Sequence, residues 1–538
     1  MRGMVDKVSA MFGKVGRLFS RYPDEPGVQP QSFVGMSTTF PAGASDSLLS
    51  FQSVPDKFYF LLFGAIRVRL EAHAIVRTEL VVVRAVNGAI GTGWLAELKR
   101  SAVIAWLFTT PWIRAYGKLV DGVAYRCATW RHPLLDFRDW VRSKSLWNQL
   151  KKQRESLSLK VEGIEVADLL VDSYMRFAPS PRFNVDDPFV RRLVWQALRD
   201  VRQAQEYFGK LKPRWYLTSY TTYLEHGIPA RVALKNGVLV WSFGSLNSFA
   251  KSLTETDTFH TLNFSRYRSE FAALDQQDER LEMARQQLEH RLSGGIDSAT
   301  SYMRKSAYSQ TQVDLPQGLE GAVVIFLHDF YDSPHVYPDL VFDDFWRWVC
   351  STVDTLKKAG ALFFLKPHPN QIALSDEAIT RLRYKYPDLH WLPATVSNLQ
   401  LVQSGITCGV TVYGTVAHEL AYLGVPSICC ARHPHYTFDF CRTARTKHEY
   451  EAMLKTYWEK PLTREEMRRQ ALAFYYMHNL HEAGDARVLQ KAFVDFWRVC
   501  HSTETNEDLV MQVFDSLVRL PAFDRFVQGM ASTKGESV

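Results

Sequence analysis

The chain has 538 residues, which at about 150 residues per domain is enough for two large α/β domains with additions. Hydrophobic residues make up 46% and charged residues 22%, which excludes collagen-like, low-complexity and largely disordered chains. The net charge of +7, from 64 Lys and Arg against 57 Asp and Glu, is too small an excess over this length for a nucleic-acid footprint, so no nucleic-acid partner is expected.

In chain order, residues 1–21 place Met4, Val8, Met11, Phe12, Val15, Leu18 and Phe19 on one helical stripe, with Lys7, Lys14, Arg17 and Arg21 around it. This predicts an amphipathic basic helix over 1–22, suited to an anionic membrane surface or to its own domain. Residues 23–55 are rich in Pro, Gly, Ser and Thr and read as a linker, with folded structure resuming near 55. From 56 to 315 short β-branched runs alternate with helical ones, the pattern of an α/β domain. Its clearest strands are 79–87, 214–220 and 238–243, and the last two frame a helix over 229–236 closed by Gly237. The Ser-, Gly- and Gln-rich stretch 293–320 is the predicted domain boundary. Five strands follow, at 322–327, 361–365, 389–392, 406–412 and 427–430, with helices between them. That alternation predicts a parallel, doubly wound sheet over 316–485, with ligands bound beyond the strand carboxyl ends. Residues 486–538 read as additional helices.

The seven cysteines are odd in number and lack C-x-x-C spacing, which points away from a disulfide framework and from a zinc ribbon, so no metal site is expected. A reducing, cytoplasmic setting is the expectation. The apolar runs 58–66 and 102–113 fall short of the about 18–20 residues that span a bilayer, and the N-terminus lacks a cleavable secretory pattern.

Four constellations carry candidate chemistry. Lys366-Pro-His368-Pro follows a strand directly, so a stiff turn presents a cation and an imidazole where phosphate oxygens would bind. Tyr413-Gly414-Thr415 follows another strand and opens a helix, with Gly414 for the tight turn, Thr415 at the N-cap and Glu419 one turn in, where it could accept sugar hydroxyls. Gly424-Val425-Pro426 closes that helix. His328, Asp329, Asp332, Ser333 and His335 crowd the loop after the first strand of this domain, where phosphate or sugar contact is favoured over metal. In the first domain, Glu225-His226-Gly227 could deprotonate an acceptor hydroxyl across a cleft. Two glycine motifs fit poorly: the Ser293-Gly-Gly loop follows a charged helix rather than a strand, and Gly88, Gly91 and Gly93 lack the dinucleotide spacing.

The loop HDFYDSPH, then KPHP just under forty residues later, then YGTVAHELAYLGVP, resembles the bacterial capsule and surface-polysaccharide biosynthesis glycosyltransferases. Kdo transferases, glycerophosphotransferases and some sialyltransferases are more distant relatives of that family. The stretches IEVADLLVDSYMR and YLEHGIPARVALKNG are similar to it as well, so the resemblance covers roughly residues 60–480. It implies a GT-B fold of two Rossmann-like domains facing across a cleft. It further implies a metal-independent transferase without a cofactor, using a nucleotide-sugar donor and a glycan or glycolipid acceptor at the inner face of the cytoplasmic membrane. On these positions His368 would contact donor phosphate, Gly414 and Thr415 would hold phosphate, and Glu419 would hold ribose. Sialyltransferase-like members carry an acidic pair before glycine where this chain has Glu225-His226-Gly227. A non-catalytic membrane-docked scaffold and a sugar-nucleotide epimerase of the same fold are the alternatives; acceptor-free turnover distinguishes the epimerase.

Overall fold

The computed structural model describes residues 48–533 apart from 83–123, 128–132, 296–312 and the short gaps 53, 55, 75, 154–156, 179, 246–247, 262–263, 370–372, 482–483 and 503–504. The basic helix expected over 1–22 and the Gly88 motif lie outside the described residues.

The first domain runs β1 (Leu48–Gln52), α1 (Lys57–Leu70), β2 (Arg77–Val82), β3 (Ala124–Cys127), α2 (Pro133–Lys152), a small β4–β5 ribbon (Lys160–Val161, Ile164–Glu165), α3 (Ala167–Phe177), α4 (Pro188–Leu211), β6 (Trp215–Thr218), α5 (Leu224–Lys235), β7 (Leu239–Ser242) and β8 (Lys251–Ser252). Helices α6 (Tyr267–Ala272) and α7 (Gln277–Leu292) lead out of it. Its sheet has the order β3-β2-β1-β6-β7-β8, parallel except for β8.

The second domain runs β9 (Val323–Phe326), α8 (Phe345–Lys358), β10 (Phe363–Lys366), α9 (Ala373–Lys385), β11 (His390–Trp391), α10 (Asn398–Gln403), β12 (Cys408–Val410), α11 (Val416–Leu423), β13 (Ser427–Cys429), β14 (Cys441–Thr443), α12 (Lys447–Lys455) and α13 (Arg464–Asn479). Its order, β11-β10-β9-β12-β13-β14, repeats the first and is parallel throughout. Both sheets are covered on both faces. Along β9, Val323 and Ile325 enter one core and Val324 and Phe326 another, so the strand is apolar at every position. In each domain the chain reverses direction across the sheet beside its first strand, between β1 and β6 and between β9 and β12. Those switch points are where a doubly wound sheet opens a crevice at its carboxyl ends. Two Rossmann-like domains joined face to face in this way form the GT-B arrangement.

One reading of the sequence is corrected. The linker expected to reach residue 55 contains β1, which pairs with both β2 and β6 near the middle of the first sheet. The polar Ser50 and Gln52 of this strand are both buried and bonded, Ser50 Oγ lying 2.7 Å from the Tyr207 hydroxyl. The helices expected over 486–538 are present, and they pack on the first domain. Helices α14 (Asp485–His501), α15 (Glu507–Val518) and α16 (Pro521–Ser532) return to the first domain, where Phe493, Phe496, Phe514 and Phe523 share a core with α1 and β1. Among the described residues no helix is long and apolar enough to cross a membrane.

Candidate active site

The second domain brings the ends of β9, β10 and β12 side by side, because these strands are neighbours in the sheet. His328, just past β9, accepts a hydrogen bond at Nε2 from the Val412 backbone N–H at 3.2 Å. A backbone N–H can only donate, so the ring is neutral with its proton on Nδ1. The Thr411 hydroxyl, 3.0 Å from the same nitrogen, therefore donates to it and accepts in turn from Gly414 N–H at 3.2 Å. Burial, with His368 close by, pushes the His328 imidazole down to about 3, which keeps this relay intact across ordinary pH. The ring also stacks on Phe345, with centroids 4.8 Å apart. His328 is thus built into the turn after β12 rather than turned to a ligand. Gly414 is required there: a Cβ would lie 2.7 Å from Thr411 Oγ1.

Thr415 occupies the N-cap of α11 without making a side-chain cap bond, and it is exposed. The helix therefore opens with its positive end toward the crevice, uncapped by that hydroxyl. Beside it, Lys366 is buried at the end of β10 and donates to Ala394 O at 3.0 Å. Burial lowers its amine to about 8, with Glu419 opposing the shift. His368 is lowered too, by burial and then by Lys366, against Asp329. Asp329 accepts from Ser375 Oγ at 2.7 Å and from Tyr331 N–H at 3.0 Å. Glu419 differs from expectation. It is 1% exposed, paired with Arg291 of α7 at 2.8 Å, and accepts from Asn398 Nδ2 at 2.6 Å. Each carboxylate oxygen thus already has a protein partner, which any sugar hydroxyl would have to share. The Ser293 loop merely ends α7, Gly295 N–H donating to His290 O, so it is a helix terminus and not a strand-borne phosphate loop.

The first domain builds its own cluster at its switch point. Helix α5 begins at Leu224, earlier than the proline-started helix expected from 229, so Glu225 and His226 lie in its first turn and not in a loop. Pro229 lacks the N–H that would bond Glu225 O; Gln52, from the end of β1, donates to that carbonyl at 3.2 Å instead. Gln52 Oε1 accepts from Ser219 N–H at 3.2 Å and from Thr218 Oγ1 at 2.9 Å, which fixes the amide orientation. Its Nε2 therefore donates to His226 Nδ1 at 2.6 Å. With Nδ1 held as an acceptor, the neutral ring carries its proton on Nε2, which lies 3.4 Å from Glu225 Oε1. The imidazole thus faces the carboxylate as a donor. Of the two, Glu225 is the group arranged to accept a proton.

The two clusters meet along a seam. His335 Nδ1 lies 2.8 Å from Asp172 Oδ1 of α3, and His335 N–H donates to the same oxygen at 3.2 Å. Burial works to lower the His335 imidazole, but the Asp172 carboxylate outweighs it and holds the ring above its ordinary value, while burial in turn raises the Asp172 carboxyl against the pull of His335. Phe183 N–H of the first domain donates to Asp344 Oδ2 at 3.0 Å, while Asp344 Oδ1 caps α8. Tyr223, with φ of +65° ahead of α5, reaches Ser333. The Tyr413 hydroxyl donates to Ser333 O at 3.3 Å. Asp332 is raised by burial, and Arg176 of α3 is near enough to oppose that.

His328, Asp329, Lys366, His368, Gly414 and Thr415 are therefore assembled at one crevice, Asp332 and Ser333 at the seam, and Glu225 and His226 on the opposite side. Gln52, Asp172 and Arg291 escaped the sequence reading because their partners are distant in sequence; the only local signal was the placement of Asp168, Asp172 and Ser173 in the largely apolar run ADLLVDSYM. The fold also gathers Cys429, His433, His435 and Cys441 at the β14 edge of the sheet, a grouping the sequence reading did not anticipate because its spacing contains no C-x-x-C.

No family model and no curated protein matches the chain. Among solved structures it is similar to the UDP-GlcNAc 2-epimerase of Methanocaldococcus jannaschii in complex with UDP-GlcNAc and UDP, at 10% identity over 78% of this chain and 97% of that one, with a TM-score of 0.25. Anabaena Alr3699/HepE in complex with UDP and glucose shares 9% identity over 88% and 100% of the two chains, TM-score 0.24. The spinosyn rhamnosyltransferase SpnG, complexed with spinosyn aglycone, shares 10% over 84% and 100%, TM-score 0.24. At these scores the fold rests on the chain's own strand order.

Proposed function

We propose that the chain is a GT-B glycosyltransferase that moves a sugar from a nucleotide-activated donor to a capsular or other surface-polysaccharide acceptor. The observation that carries this reading is the placement of two unlike clusters at the two switch points, carboxyl ends facing across one seam. On the second-domain side, Lys366, His368 and the open end of α11 suit a diphosphate, and His328 positions the turn that bears Gly414 and Thr415. Such preorganised donors would stabilise charge developing on the departing nucleotide. On the first-domain side, Glu225 would take the acceptor proton, its carboxylate oriented by His226 and Gln52. The basic N-terminal segment would hold the enzyme at an anionic membrane surface, beside a lipid-linked or growing glycan.

The experiment is thermal stabilisation of the full chain by CMP, CDP, UDP, GDP and ATP, followed by transfer assays with the nucleotide sugar of the stabilising base. A nucleotide that binds the folded state raises the melting temperature by mass action. Glu225→Gln is expected to keep that shift and to lower transfer by about 10²–10⁴-fold. Product formed without any acceptor would replace this reading by the epimerase. No shift with any nucleotide would replace it by the scaffold.

A further inference from the structure

Cys429 ends β13 and Cys441 begins β14, two parallel neighbours paired with Cys429 opposite Thr443. Their thiols lie 3.2 Å apart. The turn between the strands folds His433 and His435 back over these ends, and one ring nitrogen from each joins the two sulfurs in a set of four ligand atoms all within 4.8 Å of one another. Every member is buried, the histidines at 0% and 1% exposure. Nδ1 of His433 and Nδ1 of His435 have no hydrogen-bond partner, although buried polar atoms are almost always bonded. The second nitrogen of His433 does have one: Nε2 lies 2.8 Å from Thr443 Oγ1, the kind of outer contact that fixes the ring of a metal-bound histidine.

We propose that Cys429, His433, His435 and Cys441 bind a zinc ion in a closed, structural site. Two sulfurs and two imidazole nitrogens are the donor set of tetrahedral zinc, and bonds of about 2.3 Å to sulfur and 2.0 Å to nitrogen place neighbouring ligands roughly 3.3–3.8 Å apart. The cluster reaches that geometry by a small opening of the thiol pair and a small contraction of the rest. Two thiolates cancel the charge of the ion, so the complete site can sit in the core without a counter-charge. Four protein ligands leave no open position, and the metal takes no part in the reaction proposed above.

Its effect is to fasten the 430–440 turn. That turn is bonded to the loop carrying the seam histidine His335: Val341 N–H donates to Cys430 O at 3.0 Å and Arg432 N–H to Pro338 O at 3.0 Å. Arg432 and Tyr436 of the turn line a crevice with Thr256, Asp257 and Phe259 of the first domain. The zinc would therefore hold one wall of the interdomain seam.

The test is elemental analysis of the full chain purified under reducing conditions without added metal, together with cobalt(II) exchange. The expected result is about one zinc per chain. Cobalt substitution is expected to give the intense visible bands of a tetrahedral site and a near-ultraviolet thiolate charge-transfer band. Cys441→Ser and His433→Ala should lose the metal, while Cys350→Ser, outside the cluster, should retain it. Because the first two variants could fail to fold, the cobalt spectrum of the wild-type chain decides independently. Wild-type protein that contains no zinc and takes up neither zinc nor cobalt under reduction overturns the proposal. A mass lower by two hydrogens, mapped to a Cys429–Cys441 disulfide in freshly lysed cells, does so equally. None of these readouts depends on transferase activity.

Discussion

Replacing Glu419 by glutamine should destabilise the second domain before any ligand is involved. The substitution keeps the side-chain volume and one acceptor oxygen, so it isolates the negative charge. That charge is 1% exposed, 2.8 Å from Arg291, whose own side chain is 13% exposed. Breaking a buried pair by removing one partner costs about 3–5 kcal/mol, because the remaining charge loses its compensation. The residual exposure of Arg291 favours the lower half of that range. With a urea dependence of about 2–3 kcal/mol/M, the unfolding midpoint should fall by about 1–2 M. A second consequence concerns Lys366, whose amine Glu419 holds up against burial; in the variant it should titrate further below about 8. Urea unfolding followed by fluorescence of Trp348 and Trp391 is the assay, with the double variant Arg291→Met/Glu419→Leu as comparison. Replacing both partners by apolar residues should recover most of the loss. A midpoint for Glu419→Gln within a few tenths molar of wild type, combined with loss of nucleotide stabilisation, would refute the reasoning and return Glu419 to the role of a ligand contact.

Lys366 should make stability and binding respond to pH in opposite senses. Its folded-state value of about 8 lies below the ordinary 10.5, so the unfolded chain holds more protons between these values and stability should rise with pH across that window. A bound diphosphate would favour the charged amine, so near pH 8.5, about half a unit above that value, nucleotide binding should take up a proton, visible as buffer-dependent heats in calorimetry and absent in Lys366→Met. His335 works the other way: its value is raised above 6.5, so the contribution of the charged ring is present below that pH and is lost as pH rises through the raised value. Protection of the 335–337 amides, after correction for base-catalysed intrinsic exchange, should fall at alkaline pH in wild type and be low at every pH in Asp172→Asn. In the first domain, Phe496→Ala should cost about 3–5 kcal/mol. Truncation after residue 484 should yield insoluble protein; a soluble truncated chain with an unchanged melting profile would contradict the placement of α14–α16.

The strands of the second domain were readable because a parallel sheet covered on both faces needs uninterrupted apolar runs, such as AVVIFL before His328. The motifs at its carboxyl edge were readable for a related reason. Pro367 and Gly414 punctuate the strand ends locally, and Gly424, at φ +91°, closes α11 as its sequence predicts. By itself, then, the sequence determined the α/β class and the doubly wound second domain, and it marked the strand carboxyl ends where the candidate motifs lie. Burial and pairing were decided by tertiary structure alone. LLSFQ looks like the end of a Ser-rich linker until Tyr207 and Ser219 satisfy its polar side chains. Glu419 looks unpaired until α7 delivers Arg291 to it. Cys429, His433, His435 and Cys441 look unrelated until two parallel strands and one tight turn superimpose them. In each case a polar group's role depends on a partner supplied from elsewhere in the chain, and that supply is a property of the fold, whereas the strand and turn signals arise from each segment's own steric and hydrophobic preferences.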